Sequence, residues 1–473
     1  VPAQNIPNQH STGEAASNSP MPKSIEVTRG HWLWLGLGLT GVAMLSATAG
    51  ALLAVSLSST PLMQSRLSAE DAAVFSQGER ISTSMSMQMP QLTRSVNILI
   101  LGTKVLTSDL EDDKQQNQLG YHALVNSLDG LTDSNLLVRF SPENHKLAVL
   151  SIPRDTRTFV EGVGLTKINE ANYYGGPALS AKTISDLLGG IGIDRYIRVN
   201  VQAVEKLVDA LGGVTVYVPK DMKYQDDSQH LYINLKAGKQ KLNGNQALQF
   251  MRFRYDDMGD IGRIQRQQIL MRALMEQTLS PATVVRLPKI LSVIQEYIDT
   301  NLTIEELVAL VGFASQTQRA NVQMLMVPGE FSEAKDFQAS YWLPSYEGID
   351  ALVTQHFDMN QDSAGFQAIE PSRIRVAIQD STGQDSAVDA LITNLREAGY
   401  RNVDIAKPWT EPLQVTRIVA QSGDMESAKS LRDSLGFGEV RVESTGSLRS
   451  DITIQLGQDW LTQQDQIKPG QNW

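Results

Sequence analysis

Cysteine is absent from the 473 residues, which excludes a disulfide framework, a thiolate-held zinc and a thiol nucleophile. Positive charge is also short. The 41 Lys and Arg against 52 Asp and Glu leave a net −11, which opposes the counterion-releasing contacts that hold nucleic acid. No nucleic-acid partner is therefore expected. The six histidines are scattered, with no His-Glu-x-x-His pair, and neither the Gly-x-Ser-x-Gly elbow nor the phosphate-loop lysine motif is present. Zincin, serine-hydrolase and NTPase chemistry thus lack support.

Long hydrophobic runs are scarce too, with one exception. From His31 through Ser65 there is no Asp, Glu, Lys or Arg, and Trp32–Leu57 is continuously apolar or small. Such a run is long enough to cross a bilayer as a helix, and it predicts a transmembrane helix over residues 31–58. Ala47-Thr48-Ala49 resembles a signal-peptide cleavage site, but the apolar run continues through Val55, which favours retention. Gly36-Leu37-Gly38-Leu39-Thr40-Gly41 satisfies the dinucleotide fingerprint only formally, because no strand precedes it. Lys23 and Arg29 precede the span, and the next cation is Arg66. This asymmetry predicts single-pass insertion in the plasma membrane with everything after Arg66 extracytoplasmic. Residues 1–30, rich in Ser, Asn, Pro and Gln, read as a disordered cytoplasmic tail, and residues 66–95 as a polar stalk.

The remaining length suits two globular units. Asn97–Leu101 reads as a buried strand ending at Gly102, and Asn135–Phe140 with Lys146–Ile152 as a hairpin. Helical spacing follows in Ala178–Leu188, Val201–Leu211, Asn245–Phe250, Ile261–Leu279 and Ile304–Ala314. Strand-like Arg195–Val199, Val214–Val218 and Val322–Val327 interrupt it. The pattern predicts an α/β fold with a mixed sheet covered by helices over residues 96–330. A polar, irregular stretch at 331–371 reads as a linker. Beyond it, 372–458 alternates as a small β-α-β-α-β unit: Ile374–Ile378, Ala387–Ala398, Val415–Ala420, Glu426–Leu435 and Ile452–Leu456.

Arginine is concentrated in Arg252-Phe253-Arg254 and in Asp260-Ile261-Gly262-Arg263-Ile264-Gln265-Arg266-Gln267. On extended backbone Arg252 and Arg254 would share a face, and two planar guanidinium forks suit a diphosphate. On a helix Asp260, Arg263 and Gln267 fall within an arc of roughly 60°, with Leu270 and Leu274 continuing the stripe. A solvated helix carrying an ordinary Asp–Arg pair gives the same spacing. A second island, Ser151-Ile152-Pro153-Arg154-Asp155-Thr156-Arg157, follows a predicted strand. It suits either a ligand site at a strand end or an ion pair capping the sheet. Asp133 is a candidate Mg²⁺ ligand or a turn residue.

Together these islands resemble the LytR-CpsA-Psr family, in order and spacing, across roughly residues 96–280. The resemblance rests on Asn97–Gly102, Ile152-Pro153-Arg154-Asp155-Thr156, Lys167-Ile168-Asn169, Ala210-Leu211-Gly212-Gly213 and the Arg252–Gln267 stretch, while 372–458 resembles the LytR C-terminal domain. It implies transfer of a glycosyl phosphate from a polyprenyl-pyrophosphate carrier to a peptidoglycan hydroxyl. A pyrophosphatase side activity is also implied. Arg263 and Asp260 are the implied catalytic residues. Arg154, Arg252, Arg254 and Gln267 would bind the pyrophosphate, and Asp133 would hold Mg²⁺. Lys104 and Leu131 stand where the family commonly has Asp and Arg. That departure leaves Asp109, Glu111, Asp112 and Asp113, or the Lys104 ammonium itself, to take the missing role. The alternative functions are a noncatalytic scaffold that binds the carrier lipid or the wall, and an envelope-related transcriptional attenuator.

Overall fold

In a computed structural model, residue 64 and residues 67–467 are described, apart from 76–79, 85–89, 105–127, 228–230, 254–258, 279–280, 358–368 and positions 334, 422 and 448. They lie within one compact unit, Thr60–Trp473. The expected transmembrane segment 31–58 lies outside the described residues, among which no helix is long and apolar enough to cross a membrane. The expected tail, 1–30, lies outside them as well.

Residues 66–95 are not simply a polar stalk. The short helix α1 (Ala69–Ala73) starts at a Ser68 and Asp71 capping box, and beyond it Phe75 is buried against Tyr196 with ring centroids 5.1 Å apart. Ile81 is also buried, and Arg94 pairs with Asp194 at 2.7 Å. A few isolated apolar residues suffice to dock an otherwise polar stretch, so average polarity was a poor guide here.

The strands β1 (Val96–Lys104), β2 (Leu131–Ser141) and β3 (Lys146–Ile152) form an antiparallel meander. A small hairpin, β4 (Arg157–Val160) with β5 (Gly164–Lys167), leads through one 3₁₀ turn into α2 (Ala171–Leu187). The strand β6 (Arg195–Asn200) returns parallel to β1, and the Asn200 side chain accepts from Ala203 N to cap α3 (Val201–Ala210). Two ribbons follow, β7 (Val214–Val218) with β10 (Gly238–Leu242) enclosing β8 (Met222–Asp226) with β9 (Leu231–Leu235). Helices α4 (Gly244–Arg252), α5 (Gly259–Thr278) and α6 (Pro281–Tyr297) come next. The sheet is completed by β11 (Ile298–Thr300) and, after α7 (Ile304–Gln316), by β12 (Val322–Met326). Its order is β11-β6-β1-β2-β3-β12, with both parallel and antiparallel neighbours. This is the expected mixed α/β architecture.

Side-chain alternation divides the sheet into two buried faces, as period two requires. Leu99, Leu101, Leu137, Leu150 and Ile152 share a core with Ala178, Ala181 and Ile184 of α2. On the other face Leu136, Val138, Leu147 and Val149 meet Met271 and Met275 of α5 and Phe313 of α7. Two buried arginines tie β6 to its surroundings. Arg195 forks onto Glu306 at 2.7 and 3.1 Å, and Arg198 reaches Asp299 at 2.7 Å.

The expected linker is partly structured. After β13 (Gly329–Phe331) and β14 (Trp342–Pro344), the helix α8 (Tyr346–His356) is capped by Ser345 and buries Ile349, Leu352 and Val353. Residues 358–368 lie outside the described ones. The C-terminal sheet contains β15 (Arg375–Asp380), β16 (Asn402–Ile405), β17 (Arg417–Ala420), β18 (Glu439–Val442) and β19 (Ile452–Leu456) in the order β16-β15-β19-β17-β18. Helices α9 (Asp385–Glu397), α10 (Met425–Leu435) and α11 (Gln458–Ile467) pack on it. Just past β18, Glu443 bridges in parallel to Met324 of β12. One hydrophobic cluster also runs from Leu99 through Leu352 to Ile454, so the two sheets share a core.

His356, at the end of α8, contacts the Gln323 amide oxygen through Nδ1 at 2.9 Å, and burial holds its pKa down at about 4. Because the folded value lies below the unfolded one of about 6.5, the unfolded chain binds the extra proton and stability falls as pH drops from 6.5 towards 4. Unfolding titrations at pH 7 and pH 5 are expected to show about 2 kcal/mol of this loss. His356→Gln should remove most of it.

Candidate active site

The carboxyl end of β3 runs into Pro153-Arg154-Asp155-Thr156, a turn closed by Thr156, whose N–H and Oγ1 donate to the Pro153 carbonyl at 3.0 and 2.6 Å. The turn aims the Arg154 guanidinium back over the sheet end, where Nη1 donates to Asp133 Oδ1 at 2.6 Å. Asp155 accepts from Arg154 Nε at 3.4 Å and from Lys167 Nζ at 2.7 Å. Asp133, Arg154, Asp155 and Lys167 thus form a chain of alternating charge. Arg154 and Asp133 keep 22% and 28% side-chain exposure, so the pair is reachable from solvent.

The reason for Asp133's position lies in the backbone. The β1–β2 register steps from Gly102 opposite Ser134 to Thr103 opposite Thr132, leaving Asp133 as the extra residue of a bulge. Bulges re-aim side chains at sheet ends. A Cβ at Gly102 would come within 3.2 Å of Ser134 Cβ, so glycine suits the close approach. Asp133 therefore sits inside β2, whereas the sequence suggested a position just before a strand.

A second polar cluster meets the same end of the sheet. Arg198, on β6, donates to Asp299 and, at 3.3 Å each, to Asp129 Oδ1, the Leu128 carbonyl and Asn172 Oδ1. Asn172 in turn donates to the Leu128 and Gly130 carbonyls at 2.9 and 2.7 Å. Gly176, at φ 62°, belongs to a kink within α2 just before Pro177, so the helix begins ahead of the Ala178 start expected from spacing. Neither Arg198 nor Asp299 carries a motif, and only the pairing of β6 with β11 brings them together. The expected linker contributes as well. Trp342 N–H donates to the Asp155 carbonyl at 2.9 Å, and the Tyr341 ring lies 5.5 Å from Lys167 Nζ.

The arginine-rich stretch is divided differently. Arg252 is the last residue of α4 and Phe253 is its extended C-cap, so the condition of extended backbone for a shared face is not met at Arg252. Arg254 lies outside the described residues. Asp260 and Arg263 lie in the first turns of α5, and their side chains are outside the described ones. Gln267 is partly exposed one turn further on. Arg266 is buried, donating to the Phe253 carbonyl and closing the corner between α4 and α5. Leu270 and Leu274 pack into a small core with Val214, Val216 and Phe250. A cavity of about 340 Å³ between α1 and α2, lined by Glu70, Val74, Lys182 and Ser185 among others, includes none of the candidate site residues.

Among the described residues, no group of three or more His, Asp or Glu side chains is placed to hold a metal ion. Asp133, the expected Mg²⁺ ligand, is engaged by Arg154. An ion there would have to share the Asp133 carboxylate with that guanidinium. Lys104's side chain and Asp109, Glu111, Asp112 and Asp113 lie outside the described residues.

A profile of the LytR_cpsA_psr family matches residues 62–358. The chain belongs to the LytR-CpsA-Psr family. A second profile, described as LytR cell envelope-related transcriptional attenuator, matches residues 373–460. The regulatory protein MsrR of Staphylococcus aureus is 38% identical over 173 residues, which are 36% of this chain and 51% of MsrR. The chain thus spans about half the length of that relative. TagU of Bacillus cereus, named a polyisoprenyl-teichoic acid–peptidoglycan teichoic acid transferase, is 33% identical over 221 residues, 46% of this chain and 69% of TagU. Among solved structures, TagV of B. subtilis aligns over 56% of this chain and 98% of its own, at 27% identity and a TM-score of 0.46.

Proposed function

We propose that the chain is a transferase that moves a glycosyl phosphate from a polyprenyl-pyrophosphate carrier onto a peptidoglycan hydroxyl. The observation that carries the reading is Arg154, fixed at the β3 end by Asp133 and Asp155, in a chain whose residues 62–358 match the LytR-CpsA-Psr family. The name of the B. cereus relative, with its polyisoprenyl-linked donor and peptidoglycan acceptor, supports the same substrate classes.

In this reading the acceptor oxygen bonds to the glycan-side phosphorus, and the bridging P–O bond breaks. The electron pair leaves with polyprenyl phosphate, and the acceptor proton passes to solvent. Such a step asks chiefly for positioning and charge stabilisation. Arg154, Arg252, Arg254 and Arg263 would hold the diphosphate oxygens, Gln267 would add a neutral hydrogen bond, and Asp260 would orient Arg263. Water in place of the acceptor hydroxyl would give the pyrophosphatase side reaction. We place the chain in the plasma membrane through residues 31–58, with the folded part outside. Mg²⁺ at Asp133 would need further ligands from the 105–127 segment.

Product stoichiometry tests the reading. Full-length protein given polyprenyl-pyrophosphate glycan and peptidoglycan fragments should release one polyprenyl phosphate for each glycan phosphate attached to the acceptor. Carrier that is bound but never cleaved would establish the scaffold instead.

A further inference from the structure

The helix that carries Asp260, Arg263 and Gln267 is also the one the C-terminal domain grips. Gln265 Nε2 donates to the Gly446 and Thr445 carbonyls at 3.1 and 3.4 Å. Two turns further along α5, Arg272 pairs with Glu443 in a partly buried contact. Glu443 is itself held by Thr445 Oγ1 at 3.2 Å and faces Arg441 at 3.9 Å. The two anchors are seven residues apart, so they project from one side of the helix, about 160° round from the arc of Asp260, Arg263 and Gln267. The grip is therefore on the back of the helix relative to those three residues.

The gripping turn is itself stiff. Ser447 N–H donates to Thr453 Oγ1 at 3.0 Å, and Ser444 Oγ donates to the Gln421 carbonyl at 3.2 Å. At Gly446 a Cβ would overlap the Gln421 and Thr453 side chains, so glycine is what lets the turn pack this closely on its own domain. The same segment reaches the catalytic sheet through the parallel bridge between Glu443 and Met324. Backbone pairing, an ion pair and two carbonyl acceptors thus converge within 443–446.

We propose that Gln265 is a positioning residue through which the C-terminal domain sets the rotation and axial placement of α5, and with it the groups that stabilise charge in phosphoryl transfer. The functional part rests on the transferase reading, whereas the mechanical part does not. Groups that hold a transition state must be fixed to a fraction of an ångström, and a helix fastened on its back by an internally hydrogen-bonded turn meets that need. The C-terminal domain then acts as part of the scaffold of the site.

The test uses the full chain with Gln265→Glu, which turns a carboxylate towards two carbonyl oxygens, and Gln265→Lys, which keeps a donor. Hydrogen exchange over 259–272 reads the grip without requiring activity. Gln265→Glu is expected to speed exchange there at least tenfold and to lower kcat about tenfold at unchanged KM. Gln265→Lys should stay within threefold of the parent in both. Unchanged exchange in Gln265→Glu would overturn the grip. Faster exchange with unchanged kcat in an active enzyme would overturn its role in positioning. If the parent transfers nothing, the transferase reading fails while exchange still decides the grip.

Discussion

Arg198→Met is expected to lower the unfolding free energy by roughly 3–5 kcal/mol, the usual cost of leaving one partner of a buried ion pair uncompensated. Asp299 is 1% exposed. Its carboxylate accepts hydrogen bonds from Arg198 Nε at 2.7 Å and from the Tyr196 hydroxyl at 3.2 Å. Methionine replaces the stem of the arginine but none of its donors, so Asp299 would have to take up a proton or draw in water. The neighbourhood loosens as well, since Arg198 also donates to the Leu128 carbonyl and to Asn172. Urea unfolding of the parent and of Arg198→Met measures the difference. A change under 1 kcal/mol would show that water already serves Asp299.

The second large effect is catalytic. Arg154→Ala should lower transfer about 100- to 1000-fold, the scale on which loss of one preorganised charge-stabilising donor is felt. Arg154→Lys should recover little, because an ammonium cannot offer the planar fork that spans Asp133 on one side and phosphate oxygens on the other. Stability should barely move, since the pair is partly exposed and such ion pairs contribute about 0–1 kcal/mol. Steady-state rates combined with thermal unfolding separate the two effects. Loss of folding in parallel with loss of rate would recast Arg154 as a cap on the sheet.

The contrast between those two arginines shows what sequence reading can reach. Arg154 was legible because a strand pattern ended beside a charged Arg-Asp step, and strand ends are where α/β sheets gather ligands. Arg198 sits inside Arg195–Asn200, and its partner lies 101 residues away on a three-residue strand, so no local pattern marks it. Asp133 could be named, but its bulge depends on how β1 and β2 register, which a single strand does not encode. The core strands were visible from their apolar runs, Val214–Val218 and Ile452–Leu456 with their observed bounds.

Elements that bury little were harder to see. The β4–β5 hairpin leaves Phe159 and Leu165 both 61% exposed, so its strands lack the apolar-in, polar-out alternation that flags a half-buried pair. In α8 the signal was present: Ser345 caps it, and Ile349, Leu352 and Val353 stand at helical spacing. The surrounding Gly, Ser, Gln and Asp masked that stripe. Arg252 shows why a two-residue spacing had to be read conditionally, because it gives a shared face only if both residues are extended, and Arg252 ends a helix.

The most direct test of the account is transfer itself, measured with full-length protein in lipid, a polyprenyl-pyrophosphate glycan labelled in the sugar, and peptidoglycan fragments, with and without Mg²⁺. The account predicts label in the peptidoglycan fraction with the parent chain and loss of that label with Arg263→Ala. Carrier binding by the parent without label reaching peptidoglycan, under every metal condition, would contradict it.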